Sequence, residues 1–168
     1  MINSIIRYGL IFVLLVLAQV LLFNNIQFSG YVNPYIYIMF ILLLPAEIHA
    51  ALMLCLSFFI GIVIDFYSGS AGMHAFASTF AGFVRPFVLR SVSPRDGYSQ
   101  GAQLSMFNYG FKWFLVYAAI IVFVHHLTLF FIEAFRLIDF FRTFFRVILS
   151  AAFSLIFIII IEFYRKGR

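Results

Sequence analysis

Residues 10–23 read LIFVLLVLAQVLLF, fourteen positions in which Gln19 is the one polar side chain. Comparable runs recur along the chain, and 65% of its 168 residues are hydrophobic while 10% are charged. Soluble domains carry about 25% charged residues, so there is too little polar surface here to cover a globule in water. The chain is therefore expected to be an all-α integral membrane protein, built from apolar runs long enough to cross a bilayer as helices.

A hydrocarbon core of about 30 Å takes roughly 20 apolar residues per helix. Six spans are expected, over about 5–23, 34–46, 50–66, 71–89, 112–132 and 145–164, in a single multispan domain covering 1–168. Too few residues remain for a soluble domain. The first run follows Arg7 and imitates a signal peptide, but no small-x-small cleavage pair follows it, so it is read as a retained helix. The stretch 35–66 is short for two full spans and dips at PAEIHA, residues 45–50. A tight hairpin of short or tilted helices turning near Glu47 and His49 is expected, with a re-entrant pair as the alternative.

The formal net charge of +5 is expected to reflect topology. Basic residues flank membrane helices on the cytoplasmic side, and this accounts for the excess without nucleic acid. With six spans, Arg7, Arg90, Arg95, Lys112, Arg165, Lys166 and Arg168 share one side, while Arg136, Arg142 and Arg146 lie on the other. Both termini are thereby expected in the cytoplasm. The single Cys55 lies in an apolar run and reads as a small packing residue.

One segment, EAFRLIDFFRTFFRVI at 133–148, repeats Arg136, Asp139, Arg142 or Thr143, and Arg146 at helical steps among phenylalanines. It reads as an amphipathic helix at the outer interface, preceding the last span. Two uses fit such a helix: anchoring in the interface, or a basic face that docks a partner or a lipid headgroup.

The stretch GIVIDFYSGSAGMHA, residues 61–75, carries the one sharp anomaly. Ser57, Gly61 and Asp65 are spaced four apart on one helical face. The next span offers Ala71, Ala75 and Thr79 at the same spacing, and Ala77 with Ala81 on another face. In lipid, small residues mark faces where backbones approach closely, so these read as a packing seam between adjacent antiparallel helices. Asp65 stands at the C-terminal end of its helix, where a negative charge opposes the dipole, so capping is not expected to be its role. Its expected partner is His74, His125 or His126, or else Arg142 or Arg146. Solvation at the interface is the alternative. Arg85 lies about 20 Å deeper and is not the expected partner.

Other polar residues offer little chemistry. His125 and His126 are adjacent and diverge on a helix, whereas helical metal sites favour i, i+4 spacing, so no metal is expected. No catalytic set and no cofactor loop is apparent. Gln19 suits either a hydrogen bond across helices or a place near the headgroups.

Gly61, Asp65, Gly72 and Ala75 spell G-x-x-x-D closing one helix and G-x-x-A opening the next. Together with Gln19 late in the first span, an Asn-containing turn and Pro34 opening the second, this resembles the rod shape-determining protein MreD family. The motif likeness covers about residues 15–80; the remainder agrees in layout. The resemblance implies a non-catalytic scaffold of the bacterial inner membrane, similar in fold to the membrane S-components of energy-coupling-factor transporters. It implies binding to MreC, and through it a link between MreB filaments and the peptidoglycan synthases, RodA and its transpeptidase partner. Self-association as a homodimer is left open. A vitamin-type transporter subunit is the competing expectation, but the first span lacks the small-xxx-small face that docking an energising partner would need.

Overall fold

The computed structural model describes residues 2–25, 32–99, 101, 103–134 and 139–165. Among them the regular structure is helical: α1 (Ile2–Leu21), α2 (Met39–Leu43), α3 (Ala50–Ser68), α4 (Met73–Ser91), α5 (Met106–Tyr109), α6 (Phe111–Ala134) and α7 (Phe140–Arg165). Four helical stretches are long and apolar enough to cross a membrane: Ile5–Asn25, Ala50–Ser68, Phe111–Ala134 and Phe140–Arg165. The chain is an all-α membrane protein, as its composition requires. Helix α4 matches α3 in length but carries more polar residues, and it packs between α3 and α6, with α7 on the far side of α6. Helix α1 lies against α2 and α3.

The stretch expected to span at 34–46 is helical only over Met39–Leu43. Val32 to Ile36 is non-helical, a turn follows at residues 37–38, and every residue from Ile36 to Leu44 is at most 2% exposed. Helix α2 stops before Pro45 because the proline ring forces its predecessor out of the helical region: Leu44 sits at φ −59°, ψ 148°. This geometry resolves the shortage of residues. Extended chain advances about 3.3 Å per residue against 1.5 Å in a helix, so residues 32–45 reach roughly as far as the 19 residues of α3.

Non-helical backbone inside a membrane bundle needs hydrogen-bond partners from the surrounding protein. They come from side chains on two helices. Ser150 Oγ of α7 accepts from Asn33 N at 3.1 Å, and Ser154 Oγ accepts from Tyr35 N at 2.8 Å. Gln19 of α1, fully buried, accepts from Ile36 N at 2.8 Å and donates to the Pro34 carbonyl at 3.2 Å. Gln19 thus bonds across to another segment of the chain.

Three further expectations are corrected. Cys55 is exposed on the outer side of α3 instead of packing inside. The basic, phenylalanine-rich stretch joins the last span: α7 runs unbroken from Phe140 to Arg165, because helix-compatible residues continue without a breaker into the apolar run. Arg136 lies outside the described residues. The α4 side of the seam also differs, since Ala71 is exposed and the Thr79 hydroxyl turns back to the Ala75 carbonyl at 2.7 Å.

The α3–α4 seam itself is tight. A Cβ added to Gly61 would stand 2.4 Å from the Cα of Ala75, and one on Gly82 would stand 2.4 Å from Ser57 Oγ. Only hydrogen side chains permit backbones this close. Ser57, Gly61 and Asp65 therefore meet Gly82 and Ala75 in antiparallel order, with Ala77 and Ala81 buried on a neighbouring face.

Candidate functional site

At one end of the bundle, α3 closes on Gly69, whose φ of 65° puts it in the left-handed region and whose N–H donates to the Asp65 carbonyl. Helix α4 then begins after Gly72, a cap residue with no side chain to accept from the first turn. Asp65 supplies that acceptor from the preceding helix. Its Oδ1 accepts from Ser70 Oγ at 2.5 Å and from His74 N at 3.0 Å, and its Oδ2 accepts from Ala75 N at 2.8 Å. The carboxylate opposes the dipole of α3 but lies at the positive end of α4, where negative charge is stabilised. It is a cap borrowed across a hairpin.

This corrects two expectations, that capping could not be the role of Asp65 and that a basic side chain would pair with it. Asp65 takes the backbone of His74, not its ring, and none of its three hydrogen bonds comes from His125, His126, Arg142 or Arg146. Arg146 instead binds Glu133 at 3.1 Å and stacks over the Phe130 ring at 4.2 Å. Arg142 is exposed on the first turn of α7.

The histidines join a buried polar cluster around the non-helical segment. Tyr37 Oη lies 2.6 Å from His125 Nε2, 3.1 Å from His74 Nδ1 and 3.3 Å from Ser78 Oγ. His126 Nδ1 lies 2.8 Å from the Val122 carbonyl, which can only accept, so Nδ1 carries the proton. Its Nε2 is then an acceptor for Ser154 Oγ at 2.9 Å, and that oxygen in turn accepts from Tyr35 N. Each donor in the series Tyr35 N, Ser154 Oγ and His126 Nδ1 finds one acceptor. Among the described residues no group of three or more histidine, cysteine or acidic side chains is placed to hold a metal ion.

The opposite end of the segment is closed by Arg85, 1% exposed. Its guanidinium donates to the Leu44 carbonyl, to Pro45 O at 3.2 and 3.3 Å, and to Tyr117 Oη at 2.8 Å. Tyr117 Oη donates in turn to Leu42 O at 3.1 Å. The last carbonyls of α2 are thus met by a cation at the negative end of the helix. Nearby, Trp113 Nε1 and Tyr98 Oη bind the Val92 and Leu89 carbonyls that end α4, at 2.8 and 2.7 Å. Partial burial there raises the Tyr98 phenol above its ordinary value.

No family model matches this chain, and neither does any curated protein or solved structure.

A cavity of about 450 Å³ opens at the Asp65 end, bordered by Asn24, Asn33, Tyr35, Ser70, His74 and Glu133 among others. Of the candidate residues, His74 and Pro34 line it, Asp65 adjoins it through its bonds to Ser70 and His74 N, and Gln19 reaches it through Asn24, which accepts from Gln19 Nε2 at 2.9 Å. Sequence reasoning did not single out Tyr37, Gly82, Ser150 or Ser154 and treated Arg85 only as a rejected partner. The spacing of Ser150 and Ser154, four apart in an apolar helix, is a signal that could have found two of them.

Proposed function

We propose that this chain is a non-catalytic scaffold of a bacterial inner membrane, of the kind the MreD resemblance implies. In this reading it crosses the bilayer six times, counting α1, the segment 32–45, α3, α4, α6 and α7, with both termini cytoplasmic and an S-component-like arrangement. It binds a single-span MreC-type protein and connects MreB filaments to RodA and its transpeptidase partner. One observation carries the reading: Gln19, Asp65, Arg85, Ser150 and Ser154, five of the buried polar residues, are committed to main-chain N–H and C=O groups. Polar groups spent on holding backbone make a fixed shape for partners to read. The test is purification of the full tagged chain from its own cells in mild detergent. Recovery of a single-span periplasmic protein together with a wall polymerase is expected, and recovery of neither overturns the proposal.

The cavity favours a second reading, a small-molecule transporter subunit of the vitamin-binding type. Against it stands α1, whose exposed face is made of Leu10, Val13, Leu14, Leu17 and Leu21 and offers no small-residue groove. Saturable vitamin binding by the purified chain would decide for it.

A further inference from the structure

Where α3, α4, α6 and the non-helical segment meet, His74 is 5% exposed yet borders the cavity. Its Nδ1 is engaged by Tyr37, while its Nε2 has no hydrogen-bond partner among the described residues. The proton on this ring follows from its neighbours. His125 Nδ1 is buried without a partner, and a bare lone pair is tolerated there better than an orphaned N–H. His125 therefore carries its proton on Nε2 and donates to Tyr37 Oη, which also accepts from Ser78. Tyr37 then donates to His74 Nδ1, leaving His74 Nε2–H as a donor aimed at the cavity.

The fixed charges around the cavity are already matched. Asp65 is satisfied by three donors and occupies the N-terminus of α4, so that end is closed to an anion. Glu133 is paired with Arg146, so no uncompensated acid waits for a cation. What remains is the His74 N–H and the unused hydrogen-bonding capacity of Asn24, Asn33 and Ser70, whose first bonds go to protein, beside the Tyr35 ring. A volume of about 450 Å³ falls within the roughly 300–1,000 Å³ of small-molecule sites.

We propose that this cavity binds a neutral, polyhydroxylated ring, a sugar, with His74 Nε2–H donating to one of its hydroxyl oxygens. Hydroxyls act as both donor and acceptor, which the mixed lining requires, and the C–H faces of the ring suit an aromatic wall. The sugar can be free in solution or the headgroup of a glycolipid, and the experiment separates the two. This inference does not depend on the scaffold role: it is read on the isolated chain, whereas the role is read on the complex, so either can fail alone.

The full chain is reconstituted in nanodiscs of phosphatidylethanolamine and phosphatidylglycerol. One arm titrates glucose, galactose and N-acetylglucosamine by saturation-transfer NMR. The other incorporates a monoglucosyl diacylglycerol and counts bound lipid by native mass spectrometry. Saturable binding in the first arm supports the site with a soluble ligand, and in the second with a lipid. His74→Phe is expected to weaken binding at least about tenfold, the loss of one good hydrogen bond. Should that variant fail to fold, Met73→Trp fills the cavity from its edge without removing a polar contact and is expected to abolish binding. No saturable binding in either arm, or binding unchanged in a folded variant, overturns the proposal.

Discussion

The carboxylate of Asp65 holds the backbone N–H of Ala75 at 2.8 Å, joining the end of one helix to the start of the next. The same two helices touch at Gly61, one turn earlier, so the cap and the close contact reinforce each other. Removing the cap should loosen the whole hairpin. Asp65→Ala leaves three donors without their acceptor and is expected to cost about 2–4 kcal/mol. Asp65→Asn keeps one oxygen but turns an NH₂ group toward a donor, and about half that loss is expected. Reversible unfolding by denaturing detergent, followed by circular dichroism, measures both; an Asp65→Ala protein as stable as the parent would refute the capping role.

Gly61 and Gly9 offer a paired comparison. An added methyl at Gly61 meets the Ala75 backbone, whereas one at Gly9 meets nothing within 4 Å. Gly61→Ala should separate α3 from α4 and destabilise by about 2–3 kcal/mol through overpacking. Gly9→Ala should stabilise α1 slightly, by up to about 1 kcal/mol from helix propensity. Equal effects from the two substitutions in the same unfolding assay would rule out the seam.

Arg85 is buried among carbonyl dipoles, so its removal orphans acceptors that water cannot reach. Arg85→Leu is expected to destabilise by about 3–5 kcal/mol, the range for breaking a buried charged network. Arg85→Lys should recover part of this, because an ammonium reaches one or two carbonyls but cannot fork across Leu44, Pro45 and Tyr117 together. Limited proteolysis at the 45–50 turn offers an independent readout: cleavage there should quicken in Arg85→Leu and change little in the lysine variant.

The His126 arrangement fixes a tautomer. Nitrogen-15 NMR of the chain labelled at histidine should show His126 protonated at Nδ1 and bare at Nε2. Ser154→Ala removes the hydroxyl shared by Tyr35 N and His126, at an expected cost of about 1–3 kcal/mol, and should shift the Nε2 resonance. A protonated Nε2 in the parent protein would contradict the hydrogen-bond chain.

Much of the α3–α4 contact was legible because its signal is local. Ser57, Gly61 and Asp65 fall on one face by the helical period alone, and small residues in lipid have few other uses. The receiving face was read correctly at Ala75 but continued to Thr79 where the contact continues to Gly82, because steps of four and of seven both follow the helical period and nothing local chooses between them. The role of Asp65 was missed for a different reason: a dipole argument applied to its own helix says nothing about the N-terminus that the turn brings back beside it.

The amino-acid sequence by itself determined the solvent, the helical class and the lengths of the apolar runs, because these follow from transfer energies and backbone satisfaction, which accumulate residue by residue. Only the tertiary structure decided that residues 32–38 abandon the helix. That choice depends on whether Gln19, Ser150, Ser154 and Arg85, all distant in the chain, arrive with donors and acceptors of the right sense. A helix meets its own hydrogen bonds and can be read locally; an extended strand in hydrocarbon exists only where other segments complete it.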